Sequence, residues 1–223
     1  MVKYSKDGKV IFDPEKHTYL LGNKYLKGVT SFISEYKNKF DSDKIAEAYA
    51  KKYGRVKEEV LAEWEAKAKY SCDQGTAVHN IFEDWINKKT ISPSGIYPKE
   101  KIASKFIKDI FLTGRLEPVE SEYIVYNEVL ASQIDLIARN KAGDHFIFDW
   151  KTNDKISKTS FNDQRMLPPF SDYPDCSFYH YSLQVTLYEK LCIDYDIKGS
   201  YIVHIGSEDY SILKAEKINL DWL

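Results

Sequence analysis

A chain of 223 residues, 43% hydrophobic and 30% charged, has the size and balance of one large soluble globular domain, and no apolar run approaches membrane-spanning length. Cysteines stand only at 72, 176 and 192, which excludes a disulfide framework and a CxxC metal site; the opening residues carry no signal-peptide core, so a reducing cytoplasm is the expected compartment. A net charge of −2 does not mark a nucleic-acid binder, although it averages over any local basic groove.

From the N-terminus, residues 10–28 alternate apolar and polar around the turn signals Asp13-Pro14 and Gly22-Asn23, which predicts a small β-meander with His17 in a structural role. Thr30 offers an N-cap to a helix carrying Phe32, Ile33, Tyr36 and Phe40, and residues 43–53 form another short helix closed by Gly54. Residues 56–89 are helical, expected as two pieces separated by residues 71–75. In the second piece Gly75, His79 and Glu83 recur every fourth residue and share a face. The glycine permits close approach of another backbone or a ligand. His79 can ligate a metal, and Glu83 can ligate it too or hold the imidazole; the plainer alternative is a solvated pair on a surface helix.

A loop at 92–98 leads to a helix at 99–113, ended by Gly114, and to a strand at 118–129. Glu120, Glu122 and Glu128 on that strand are expected to face solvent, with Glu122 the one to watch. Next comes a hairpin: a strand at 132–139, a turn at 140–143 and a second strand at 145–151. Alternation puts Phe146, Phe148 and Trp150 on a core face and Ile147, Asp149 and Lys151 on the other. Asp135 is mid-strand beside them, with Ile134 and Leu136 expected to point the other way. Two carboxylates and a lysine on adjacent strands suit a hard divalent cation and an activated water; a buried salt bridge is the alternative.

Residues 155–181 lack periodicity but mix cations (Lys155, Lys158, Arg165) with aromatics (Phe161, Phe170, Tyr173, Phe178, Tyr179) around Pro168-Pro169. They are read either as a flap over a single strand, with Arg165 and Phe170 contacting substrate, or as a loop whose aromatics cover the sheet. A helix at 177–192 stacks Gln184 on Tyr188, and strands at 200–205 and 210–215 close the chain.

Gly75-x-x-x-His79, Asp135, Asp149-x-Lys151 and Gln184-x-x-x-Tyr188 occur in a fixed order, each on the expected helix or strand. The set resembles the PD-(D/E)XK nuclease superfamily, in its RecB-like branch, over roughly residues 60–205; phage-encoded exonucleases and the mitochondrial genome maintenance exonuclease are similar. The resemblance implies an α/β (α+β) fold, a restriction-endonuclease-like core with a central mixed sheet flanked by helices. It implies a single domain over 1–223, with a meander and helices in 1–55 and the core in 56–223. It further implies His79, Asp135, Asp149 and the Trp150 backbone carbonyl as ligands of Mg²⁺ or Mn²⁺, Lys151 positioning the attacking water, and Gln184 and Tyr188 as site-supporting or substrate-contacting residues. Glu83 matches an acid often present one turn after the histidine. Ser132-Gln133 stands where relatives often have glycine. Relatives with an iron–sulfur cluster use four cysteines, so no cluster is expected.

The implied activity is metal-dependent hydrolysis of DNA by a phage- or bacterium-encoded exonuclease preferring single-stranded ends, in replication, recombination or repair. A replication or recombination protein is a conceivable partner. A structure-selective endonuclease and a non-catalytic DNA-end-binding protein are the competing readings.

Overall fold

A computed structural model describes residues 2–221. Nine strands form one mixed sheet in the order β1-β2-β3-β4-β6-β7-β8-β9, with β5 also paired to β6. The N-terminal meander is β1 (Lys3–Tyr4), β2 (Val10–Asp13), β3 (Thr18–Leu21) and β4 (Lys24–Gly28), all antiparallel. It joins the rest through a short parallel pairing of β4 with the start of β6 (Leu130–Arg139). β5 (Glu117–Tyr126) and β7 (His145–Lys151) pair antiparallel with β6. β8 (Ile197–Ile205) runs parallel to β7, and β9 (Tyr210–Lys214) is antiparallel to β8. The fold is therefore α+β, a mixed central sheet with helices on both faces.

The faces follow from the alternation in β7. Phe148 and Trp150 meet Val78, Phe82 and Trp85 of α3 (Lys57–Lys88), Phe106 of α4 (Pro98–Phe106) and the π-turn Ile107–Phe111. Phe82 stacks on Trp150 with ring centroids 3.9 Å apart. Ile147 faces the opposite layer, where α1 (Val29–Ser34) and α5 (Ser177–Leu191) supply Phe32, Ile33, Leu183 and Leu187. Burying side chains of this size contributes about 1.5–3 kcal/mol each. α2 (Ser42–Tyr53), closed by left-handed Gly54 as expected, packs on the first half of α3.

Four local expectations are corrected. α3 is one continuous helix of 32 residues with no break at 71–75. Gln74 and Val78 are buried there, and this packing outweighs the roughly 1 kcal/mol that a mid-helix glycine costs. Thr30 is not an N-cap, because α1 begins at Val29 after Gly28. Ile134 and Leu136 do not share a face: Ile134 packs in the α5 layer and Leu136 in the α3 layer, so alternation breaks at Asp135. Phe170 lies in the α5-side core. Among the described residues no helix is long and apolar enough to cross a membrane.

Candidate functional site

One edge of β6 is shared by two strands. β4 pairs it at Leu130 and Ala131, and β7 pairs it from Leu136 onward. Residues 132–135 and the end of β7 are left facing each other without ladder bonds, although β7 stays paired to β8 through Lys151. Into this gap Asp135 Oδ2 accepts the Trp150 backbone N–H at 2.8 Å. On the other side of β6, Glu122 and Asp135 fall opposite each other between the pairs Ser121–Leu136 and Tyr123–Ile134. Glu122 has a left-handed φ of 49°, a strained conformation for a non-glycine residue that costs on the order of 1–3 kcal/mol.

A cavity of about 880 Å³ opens at this point, lined by residues of both helical layers: Gly75, His79 and Glu83 from α3 and Tyr181 from α5, with Glu122 and Lys151 between. Gly75 stands at a close approach: a Cβ there would lie 3.1 Å from Thr152 Oγ1, directly after Lys151. His79 Nδ1 is 3.8 Å from Asp135 Oδ1, and the ring also meets the Trp150 backbone. His79, Glu122 and Asp135 each offer a ligand atom within 4.8 Å of the others. Glu122 is thus drawn into the site and does not face solvent as the sequence suggested. Glu83 lines the cavity but lies outside this trio; its carboxylate is 3.4 Å from Lys3 Nζ, which is also 3.6 Å from Glu122.

Asp149, 1% exposed, belongs to a second set of contacts. Its Oδ1 accepts from Gln184 Nε2 at 3.3 Å, and its Oδ2 is 2.5 Å from Lys151 Nζ without a directed hydrogen bond. Gln184 also donates to Tyr188 Oη at 2.5 Å, and Ser132 Oγ donates to the same oxygen at 3.3 Å. Lys151 Nζ lies 4.7 Å from the Tyr181 ring centroid, a cation–π contact. Gln184 and Tyr188 therefore orient Asp149 and, through it, Lys151.

The electrostatics are those of anions in excess. Burial, then the charge of Asp149, pushes the Asp135 carboxyl up to about 8. Burial, then Asp135, pushes Glu122 up to about 7. Burial and the Lys151 cation hold His79 below its ordinary value, which favours the neutral imidazole that ligates metals. Burial disfavours the Lys151 charge, but Asp149 and Asp135 outweigh it and its pKa is raised. Two lysines, Lys3 and Lys151, face four carboxylates, Glu83, Glu122, Asp135 and Asp149. The donor set, oxygen-rich with one imidazole, fits a hard or borderline divalent cation such as Mg²⁺ or Mn²⁺.

His79, Asp135, Asp149, Lys151, Gln184, Tyr188 and the Trp150 backbone are brought together. Arg165 and Phe170 are not. Phe170 is 1% exposed and packs on Tyr36, so its ring has no face to offer a base. Arg165 is exposed but donates to the Asp172 carbonyl within its own loop and does not line the cavity. Sequence reasoning singled out Glu122 among the strand acids but expected it to face solvent, and it gave Lys3, Ser132 and Tyr181 no role in the site. Of these three Tyr181 had a local signal, lying one turn before Gln184 on the same helical face.

No known protein-family profile matches the chain, and no curated protein matches it. Among solved structures it is similar to one titled "Crystal structure of SSO0001", at 11% identity and a TM-score of 0.37, over 87% of this chain and 68% of that one.

Proposed function

We propose that this chain is a divalent-cation-dependent deoxyribonuclease of the PD-(D/E)XK superfamily, RecB-like branch, acting on single-stranded DNA ends. The observation that carries this reading is the meeting of His79, Glu122 and Asp135 beside an Asp149–Lys151 pair at the end of β7 that does not pair with β6. A Mg²⁺ or Mn²⁺ ion held by His79, Glu122, Asp135, Asp149 and the Trp150 carbonyl would supply charge neutralisation at the phosphate and a lowered pKa for water. Lys151 Nζ, fixed between Asp149 and the Tyr181 ring, holds a water in line with the scissile phosphorus and faces the charge that grows on the phosphate oxygens. Gln184 and Tyr188 restrict Asp149 to one orientation, so Lys151 does not have to reorganise during the reaction.

The test is nucleotide release from linear and circular single-stranded DNA, with Mg²⁺ or Mn²⁺ and with EDTA. Metal-dependent release of short products from linear DNA alone supports the exonuclease. Cleavage of circles as well would make it an endonuclease. Binding to linear ends without cleavage in any divalent metal would leave only an end-binding protein and overturn the catalytic reading.

A further inference from the structure

Away from the cavity, four aromatic rings stand in succession where α2 crosses the first half of α3. Phe40 and Trp64 have ring centroids 6.3 Å apart, Trp64 and Tyr49 6.2 Å, and Tyr49 and Tyr53 4.5 Å. The small residues beneath them, Ala46, Ala50 and Val60, do not cover them. Phe40, Tyr49 and Tyr53 remain 69%, 40% and 55% exposed.

Cations lie on the α2 side of these rings. Residues 37–57 carry seven lysines and arginines against three acids, while Glu58, Glu59, Glu63 and Glu65 follow on α3. Among the described residues Lys39, Lys51 and Lys52 form no ion pair with a carboxylate; Lys52 Nζ lies 5.1 Å over the Tyr53 ring. The patch is also continuous with the cavity. At 3.6 residues per turn, Trp64, Ala68, Cys72, Gly75 and His79 fall along one stripe of α3, and Ala68 and Cys72 on it are exposed. Trp64 is about 22 Å from His79 along the helix, the reach of a few nucleotides of extended strand.

We propose that the Phe40–Trp64–Tyr49–Tyr53 ladder is a track for unpaired nucleic-acid bases, guiding a single strand to the cavity; it rests on the nuclease reading for the strand's destination. The rings are tilted 45–66° to one another, so unpaired bases stack on their outward, exposed sides and not between them, while the unpaired lysines meet the phosphates. A duplex keeps its bases stacked and gains nothing from such rings.

The experiment uses the full chain carrying Asp149→Asn, which blocks turnover, and fluorescence anisotropy with labelled dT5, dT15 and a 15-base-pair duplex. The longer strand binds more tightly than the shorter one. Phe40→Ala with Tyr49→Ala weakens dT15 at least about tenfold and leaves dT5 and the duplex within about twofold, because stacking on an aromatic side chain is typically worth tenfold or more per base. Lys51→Gln with Lys52→Gln lowers the salt dependence of dT15 binding and not of dT5 binding. Phe40→Leu with Tyr49→Leu, which keeps apolar bulk but removes the rings, reproduces the alanine result in a chain of unchanged melting temperature. Unchanged dT15 affinity in both ring variants overturns the track, as does equal loss for dT5 and dT15. Failure of the nuclease reading is separate: it shows as no metal-dependent cleavage of dT5 by the wild type, whatever the rings do to dT15.

Discussion

Asp135 reaches across the gap between β6 and β7 and takes the backbone N–H of Trp150 at 2.8 Å, replacing a ladder bond that the sheet does not make there. One carboxylate oxygen therefore holds the end of β7, while the other points at His79. The residue serves both structure and site, and the two uses can be separated by substitution.

Asp135→Asn keeps an oxygen able to accept the Trp150 N–H but removes a charge. In EDTA at pH 8 its melting temperature is expected to exceed the wild type's by several degrees, since about 1 kcal/mol moves a domain of this size by about 2–4 °C. Mn²⁺ should raise the wild-type melting temperature and not the variant's. Equal Mn²⁺ shifts in the two proteins would remove Asp135 from the proposed metal site.

The pH dependence follows in sign. A carboxyl whose folded pKa is raised binds more protons folded than unfolded, so its stabilising effect is complete at low pH and is lost as pH rises toward the folded value. With Asp135 at about 8 and Glu122 at about 7, wild-type stability in EDTA should fall between about pH 4.5 and 8. Asp135→Asn with Glu122→Gln should flatten that slope. A wild-type melting temperature that climbs steadily from pH 5 to 8 would contradict the assignment.

Lys151→Ala is expected to lower turnover by orders of magnitude with little loss of DNA affinity, because the role proposed for it lies at the transition state. Tyr181→Phe keeps the ring under the ammonium and should stay near wild type; Tyr181→Ala should lose kcat more than KM. A stability loss in Lys151→Ala with full activity per folded molecule would reduce the pair to a salt bridge.

Gly75→Ala tests the approach of α3 to β7. Helix propensity favours alanine by about 1 kcal/mol, but the new methyl must displace Thr152, next to Lys151. Activity should drop about tenfold, the effect of roughly 1.4 kcal/mol at the transition state, with little change in melting temperature. Gly75→Ala with Thr152→Ala should recover most of it. An unaffected single variant would show that the contact does not set the position of Lys151.

Phe170→Ala is expected to cost about 3–5 kcal/mol of stability, as for other buried phenylalanines, and to leave the DNA affinity of folded molecules unchanged. Urea denaturation and anisotropy measured together decide this. Weaker binding at unchanged stability would return Phe170 to the substrate path.

Much of this protein is local enough to be read from its residues. Alternation in 145–151 set Phe148 and Trp150 against a core and Asp149 and Lys151 on the other face, and helical spacing put Gly75 with His79 and Gln184 with Tyr188. Those periodicities hold whatever the element packs against. What packs, and where, is a matter of distant partners. Glu122 looked like a solvent-facing strand residue until the register of β5 on β6 brought it opposite Asp135. The break in alternation at Asp135 exists only because β4 and β7 divide one edge of β6 and leave a gap. Residues 71–75 resemble a helix boundary, yet burial of Gln74 and Val78 carries α3 through them. Phe170 offers the same aromatic ring to a base or to a core, and packing on Tyr36 decided for the core. The sequence alone determined which acids, imidazole and lysine were available to a common site; the tertiary structure decided which of them meet, because strand register and burial depend on contacts between residues tens to more than a hundred positions apart.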